Sequence, residues 1–175
     1  GRLTRLTDDA AMDINPFYSP DGLSIAFQSD RLGRMDVWVM NADGSGQRRV
    51  SSSGAGGHFL CWTRDGRSIV FRAETGTERQ IMRVDVASGA LTRLPDVTSG
   101  AHMSFSPSQT VIMDVRGHRT LYAYPLDGAA PRRVFGFDDP DIRIDYPVWS
   151  PDGRWVLFDR VAPHGGDLWL LDGIE

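Results

Sequence analysis

Four tight-turn signatures stand at almost equal intervals along the 175 residues, so the chain must fold as a row of like units. They read Ser19-Pro20-Asp21-Gly22, Thr63-Arg64-Asp65-Gly66, Ser106-Pro107-Ser108-Gln109 and Ser150-Pro151-Asp152-Gly153, at steps of 44, 43 and 44 residues. Pro at the second turn position fixes φ near −65°, and Gly later in the turn supplies a positive φ. A fixed period of about 40–45 residues with several short strands per unit predicts the blades of a β-propeller.

Each unit repeats one order of segments. In the first, Asn15 to Tyr18 precedes the turn; Ser24 to Gln28 follows with the alternation of a half-buried strand. Asp36 to Met40 is the third strand, Ala42-Asp43-Gly44 turns the chain, and Gln47 to Val50 is a charged outer strand. The expected fold is all-β: one propeller domain over residues 1–175, with four blades of four antiparallel strands at about 8–50, 51–94, 95–134 and 135–175. The third unit lacks Asp and Gly in its turn and is the most degenerate. The fourth runs out of sequence after three strands, and Leu3-Thr4-Arg5-Leu6-Thr7 resembles the outer strand Ala90 to Leu94. Residues 2–7 are therefore expected to complete the fourth blade and close the ring, since closure removes open strand edges. The closing strand admits three arrangements: a four-bladed monomer, two copies sharing one eight-bladed ring, or a piece of a longer chain.

Net charge is −4, and the arginine pairs Arg48-Arg49 and Arg132-Arg133 fall on expected outer strands. This lacks the basic face of a nucleic-acid binder. No apolar run approaches the ~20 residues that cross a bilayer, so no membrane insertion is expected, and the first residues lack the apolar core of a signal peptide. The single Cys61 excludes an internal disulfide and reads as a buried thiol. Trp38, Trp62, Trp149, Trp155 and Trp169 recur at repeat positions and are expected to pack between blades.

The first unit carries Leu6-Thr7, Pro16 to Gly22, Ile25 to Arg31, Gly33 and Asp36 to Gly44; the fourth carries Pro147 to Gly153 and Asp167 to Leu171. This pattern resembles the WD40-like repeat of TolB-type propellers. The resemblance implies a bacterial propeller, periplasmic or secreted, that binds a protein or peptide at the mouth of its channel. Similar blades form the substrate-gating domain of prolyl-oligopeptidase-like hydrolases, and that is the alternative role, with catalysis carried on another domain.

No Gly-x-Ser-x-Gly elbow, His-Glu-x-x-His pair or phosphate-binding Gly loop occurs, so the chain alone is not expected to be an enzyme. Polar groups gather just before the first strand of each unit, where propeller loops surround the channel. Asp13, Asn15, His58, His102 and Asp145 are the candidate ligand-binding residues, with Tyr18 and Phe137 as exposed aromatic anchors. No cofactor is expected; oxygen donors of this kind suit Ca²⁺, and the two histidines suit a transition metal instead. His118 and His164 read as exposed turn residues.

Overall fold

The computed structural model describes residues 1–75, 78–94, 102–127 and 129–174, with side chains omitted at 57, 58, 75, 78 and 79. Every regular element among them is a β-strand, so no helix is long and apolar enough to cross a membrane. The chain divides between its second and third repeats into two compact units, Gly1–Leu94 and Pro95–Glu175.

The first unit holds two sheets. One runs β1 (Asp13–Tyr18), β2 (Ser24–Ser29), β3 (Asp36–Asn41), β4 (Arg48–Arg49); the other β5 (Ala55–Trp62), β6 (Ser68–Thr75), β7 (Glu78–Asp85), β8 (Leu91–Arg93). The second unit holds β9 (Met103–Phe105), β10 (Val111–Arg116), β11 (Thr120–Pro125), β12 (Arg132–Gly136) in one sheet and β13 (Arg143–Trp149), β14 (Trp155–Ala162), β15 (Gly165–Asp172) in the other. All pairings are antiparallel between chain neighbours, so each repeat is a meander with its first strand at one edge.

The alternation of β2 and β3 serves two faces. Ile25, Phe27, Trp38 and Met40 form one buried cluster. Ala26, Val37 and Val39 turn the other way and join Leu60, Trp62, Ile69 and Phe71 of the second sheet. These strands are buried on both sides, not half-buried as their pattern suggests, because the second sheet covers one face and Leu6 packs on the other. In the second unit Met113, Val115, Leu121, Ile144, Val156 and Phe158 form the corresponding core. Trp38 and Trp62 are buried as expected, whereas Trp169 lies on β15 and is 41% exposed.

The repeated turn has one construction. The hydroxyls of Ser19, Thr63 and Ser150 donate to Asp21, Asp65 and Asp152 at 2.5, 2.7 and 2.5 Å. The same hydroxyls accept the N–H of Ser24, Ser68 and Trp155. Each carboxylate also accepts the N–H two residues on. Led by the hydroxyl bond, these contacts hold all three carboxyls below their usual value of 3.8. Gly22, Gly66 and Gly153 close the turns at φ 73°, 68° and 75°. The degenerate third turn keeps this path with other atoms: Ser108 replaces the carboxylate, and Gln109 takes the left-handed position at φ 56°. A non-glycine residue is strained there. Gln109→Gly should therefore raise stability by about 0.5–1 kcal/mol and the thermal midpoint by roughly 2–4 °C. A calorimetric midpoint at or below wild type would refute the strain.

Two inner strands share a further irregularity. The β1–β2 register slips between Ile14 and Phe17, and the β13–β14 register between Asp145 and Val148. Asn15 and Tyr146 sit in these bulges at φ 53° and 50°. Each precedes a proline, Pro16 or Pro147, which has no N–H for the ladder and is tolerated where pairing is interrupted.

The expected closing strand is not formed. Residues 1–12 contain no strand. Leu6 instead packs against Ile25, Phe27, Trp38 and Met40, and its carbonyl accepts from Gln47 Nε2 at 3.1 Å. An apolar side chain gains more by covering that cluster than the segment gains from edge pairing, and Leu3 is left fully exposed. The outer edge of β15 has no strand partner among the described residues.

Candidate functional site

The bulge in β13 builds the most concentrated polar site. Asp145 is its last regularly paired residue before the slip and is only 8% exposed. The turn joining β10 to β11 carries His118, whose φ of 56° turns the side chain out of the hairpin. Its Nδ1 lies 2.5 Å from Asp145 Oδ1. His102, just ahead of β9, brings Nε2 to 3.7 Å from the same oxygen. Arg143 Nη2 approaches Asp145 Oδ2 at 3.6 Å. Tyr146, held in the bulge and 61% exposed, lies over the His102 ring with centroids 3.8 Å apart.

The backbone explains the convergence. Ile144 N–H donates to His118 O at 2.8 Å, tying the β10–β11 turn to β13. Val115 N–H donates to His102 O at 3.2 Å, fixing the other imidazole beside the same hairpin. One face then offers two imidazoles and a buried carboxylate within 4.8 Å of one another. Such a set can relay a proton between ring and carboxylate, or hold a cation.

A second polar group belongs to the first unit. Arg31, with a side chain 15% exposed, reaches Asp13 at 3.0 Å and Asp9 at 3.2 Å. It also donates to Ser29 and to Gln47, and its guanidinium lies 4.5 Å from the centre of the Trp38 ring. Burial works to raise the Asp13 carboxyl, but hydrogen bonds from Ser29, Arg31 and Thr7 outweigh it and hold it below 3.8. Asn15 Nδ2 donates to the buried Gln28 at 2.8 Å. This group lies against the Phe27–Trp38 face, with Arg31 over both rings.

The sequence candidates thus separate. His102 and Asp145 come together in the second unit, and Asp13 and Asn15 share β1 in the first. The side chain of His58, on β5, lies outside the described residues. Tyr18 is 64% exposed at the end of β1, as an anchor must be. Phe137 is not: it is half-buried, edge-on to Phe135 and to Trp169 at 5.1 Å each, because the adjoining aromatics offer it a packed site. His118 is the residue that sequence reasoning missed, since an imidazole in a Gly-His hairpin turn gives no local sign of a carboxylate 27 positions on. His164 is an exposed turn residue, as expected. Burial pushes the Cys61 thiol up to about 12, which lowers its thiolate fraction.

Comparison with known proteins agrees with the repeat. The family profile described as the TolB beta propeller domain matches residues 1–151. An uncharacterized protein of Agrobacterium fabrum (strain C58) is 40% identical over 160 residues, covering 91% of this chain and 44% of that protein. The Tol-Pal system protein TolB of Francisella tularensis subsp. tularensis is 28% identical over 136 residues, covering 73% of this chain and 31% of the relative. The crystal structure of TolB from Acinetobacter baumannii superposes with a TM-score of 0.74 at 17% identity, over 95% of this chain and 42% of that one, a likeness of fold. The chain spans less than half the length of each of these proteins.

Proposed function

Because the chain belongs to the TolB β-propeller family, we propose that it is a non-catalytic scaffold that binds a protein or peptide along the first strands of its blades. The supporting observation is the state of those strands. β1 lies at the edge of its sheet with Phe17 and Tyr18 45% and 64% exposed. β13 lies at the edge of its own with Tyr146 and Val148 61% and 54% exposed. An edge strand offers unpaired N–H and C=O groups to an extended peptide, and projecting aromatics give that peptide side-chain contacts. Short turns fix these strands in place, so little entropy is lost when a partner docks. A periplasmic or secreted location accords with the likeness to Tol-Pal system proteins.

Peptides selected from a random library against the purified protein should bind wild type and lose about 10-fold or more in affinity for Phe17→Ala/Tyr18→Ala, as truncated anchors do. Selected peptides that bind this folded double variant as tightly as wild type would remove the β1 site.

The proposal includes assembly of two copies into one eight-bladed ring. Its support is β15, whose outer edge is unpaired among the described residues and whose Leu168, Trp169 and Leu170 are 74%, 41% and 58% exposed. A long apolar edge strand invites another chain. Light scattering on the eluted protein should give about twice the 19.4 kDa chain mass, and a compact species of one chain mass would exclude the ring.

A further inference from the structure

A buried carboxylate in the bulge of β13 needs a physical reason. Blade one has the same bulge at the same place before its proline, and there the residue matching Asp145 is Ile14. The fold therefore does not require an acid at this point. Burying one is costly unless it is paired. Asp159, the register partner of Asp145 across β13 and β14, adds a second acid. Residues directly opposite in an antiparallel pair share a face, and Asp159 Oδ1 is buried with no hydrogen-bond partner. Two carboxylates in register create a negative potential. Among the described residues, Arg143 is the arginine paired with Asp145, 3.6 Å from its Oδ2 and with its own side chain 56% exposed.

Against this background the two imidazoles converge on one oxygen. His102 Nε2, His118 Nδ1 and Asp145 Oδ1 all lie within 4.8 Å of one another, and they come from three separate segments: the entry to β9, the β10–β11 turn and β13. His118 holds its place in a left-handed backbone conformation, φ 56°, which is unfavourable for a non-glycine residue.

We propose that His102, His118 and Asp145 bind a divalent transition-metal ion, with Zn²⁺ as the representative cation. Two neutral imidazoles and one carboxylate suit first-row transition ions, whereas Ca²⁺ takes six or more oxygens. Three protein ligands leave one tetrahedral position open. That position faces solvent, because the His118 side chain is 38% exposed, and a water or a partner's carboxylate completes it. The ion takes the place of the direct His118–Asp145 contact, so the two ligand atoms, 2.5 Å apart without it, move apart by roughly 0.8 Å, to the separation of about 3.3 Å that tetrahedral bonds of about 2.0–2.1 Å require. The His118 carbonyl is tied to Ile144, so rotation of the two side chains makes that adjustment. The site is independent of whether β1 binds a peptide.

The test uses untagged full-length protein stripped with a chelator. Calorimetric titration with Zn²⁺ should show one saturable equivalent per chain, and Ca²⁺ should show none. His118→Ala and Asp145→Asn should each weaken Zn²⁺ binding by at least ~10-fold, while His164→Ala, in an exposed turn, should leave it unchanged. Histidine modification of the wild-type protein by diethyl pyrocarbonate supplies a readout that requires no variant. Zn²⁺ should protect His102 and His118 and leave His164 reactive. The proposal is overturned by the lack of a one-to-one isotherm, by wild-type affinity in a folded His118→Ala protein, or by equal modification of His102 and His118 with and without the ion.

Discussion

Phe71→Ala should lower the unfolding free energy by about 3–5 kcal/mol and the thermal midpoint by roughly 10 °C. Phe71 is fully buried on β6, in the cluster that joins the two sheets of the first unit. Ala26, Val37 and Val39 reach it from one sheet, and Leu60, Trp62, Ile69, Ala73 and Val84 from the other. Removing the ring takes apolar contact from both sides at once, and the meanders cannot collapse into the space without losing register. Phe71→Leu keeps most of the volume and should cost less than half as much. Chemical denaturation of both variants gives the two numbers. A loss below about 1 kcal/mol in the alanine variant would mean that this cluster does not hold the sheets together.

Gly54→Ala should be nearly as damaging for another reason. Gly54 links β4 to β5 at φ 76°, where an added Cβ would stand 2.8 Å from the carbonyl oxygen of Glu74. Its N–H donates to the buried Asp36 at 3.2 Å, and its own carbonyl accepts from Glu74 N–H at 3.3 Å. Asp36 in turn contacts Arg34 and Arg49 at 3.4 and 3.3 Å. The substitution pays for a left-handed alanine and also forces two backbone segments apart, about 2–4 kcal/mol in all. Gly22→Ala is the control. It has a similar φ of 73° with no atom within 4 Å of the new Cβ, so it should cost only the conformational part, about 1 kcal/mol. Equal losses in the two variants would show that the close approach to Glu74 is not what makes Gly54 necessary.

What was legible in the sequence was local. The turn at Ser19, Thr63 and Ser150 is built from a hydroxyl, a carboxylate and a glycine within four positions, so its geometry could be read where it stands. That Ser24 to Gln28 forms a strand is readable for the same reason, since side-chain direction follows from strand geometry, but the burial of both its faces is not. Misreadings arose where the outcome depended on a distant partner. Leu3 to Thr7 has the pattern of an outer strand, but the Ile25–Trp38 face that takes Leu6 is assembled only after two strands have paired. Phe137 has the local sequence of an exposed anchor, but its packing partner Trp169 lies 32 residues away. The candidate site was half visible. His102 stands at the entrance of β9 and Asp145 lies within β13, whereas His118 joins them through the hydrogen bond from Ile144 to its carbonyl.

The meander order of every described sheet has a consequence for how the chain is made. Each strand pairs with its neighbour in sequence, across a turn or short connection, so the loops that must close are short and the entropy lost in closing them is small. Local pairing of this kind speeds folding relative to β topologies whose partners lie far apart. During synthesis the strands of each repeat can pair soon after they leave the ribosome, while the face of the first sheet is buried only once the second repeat has been made.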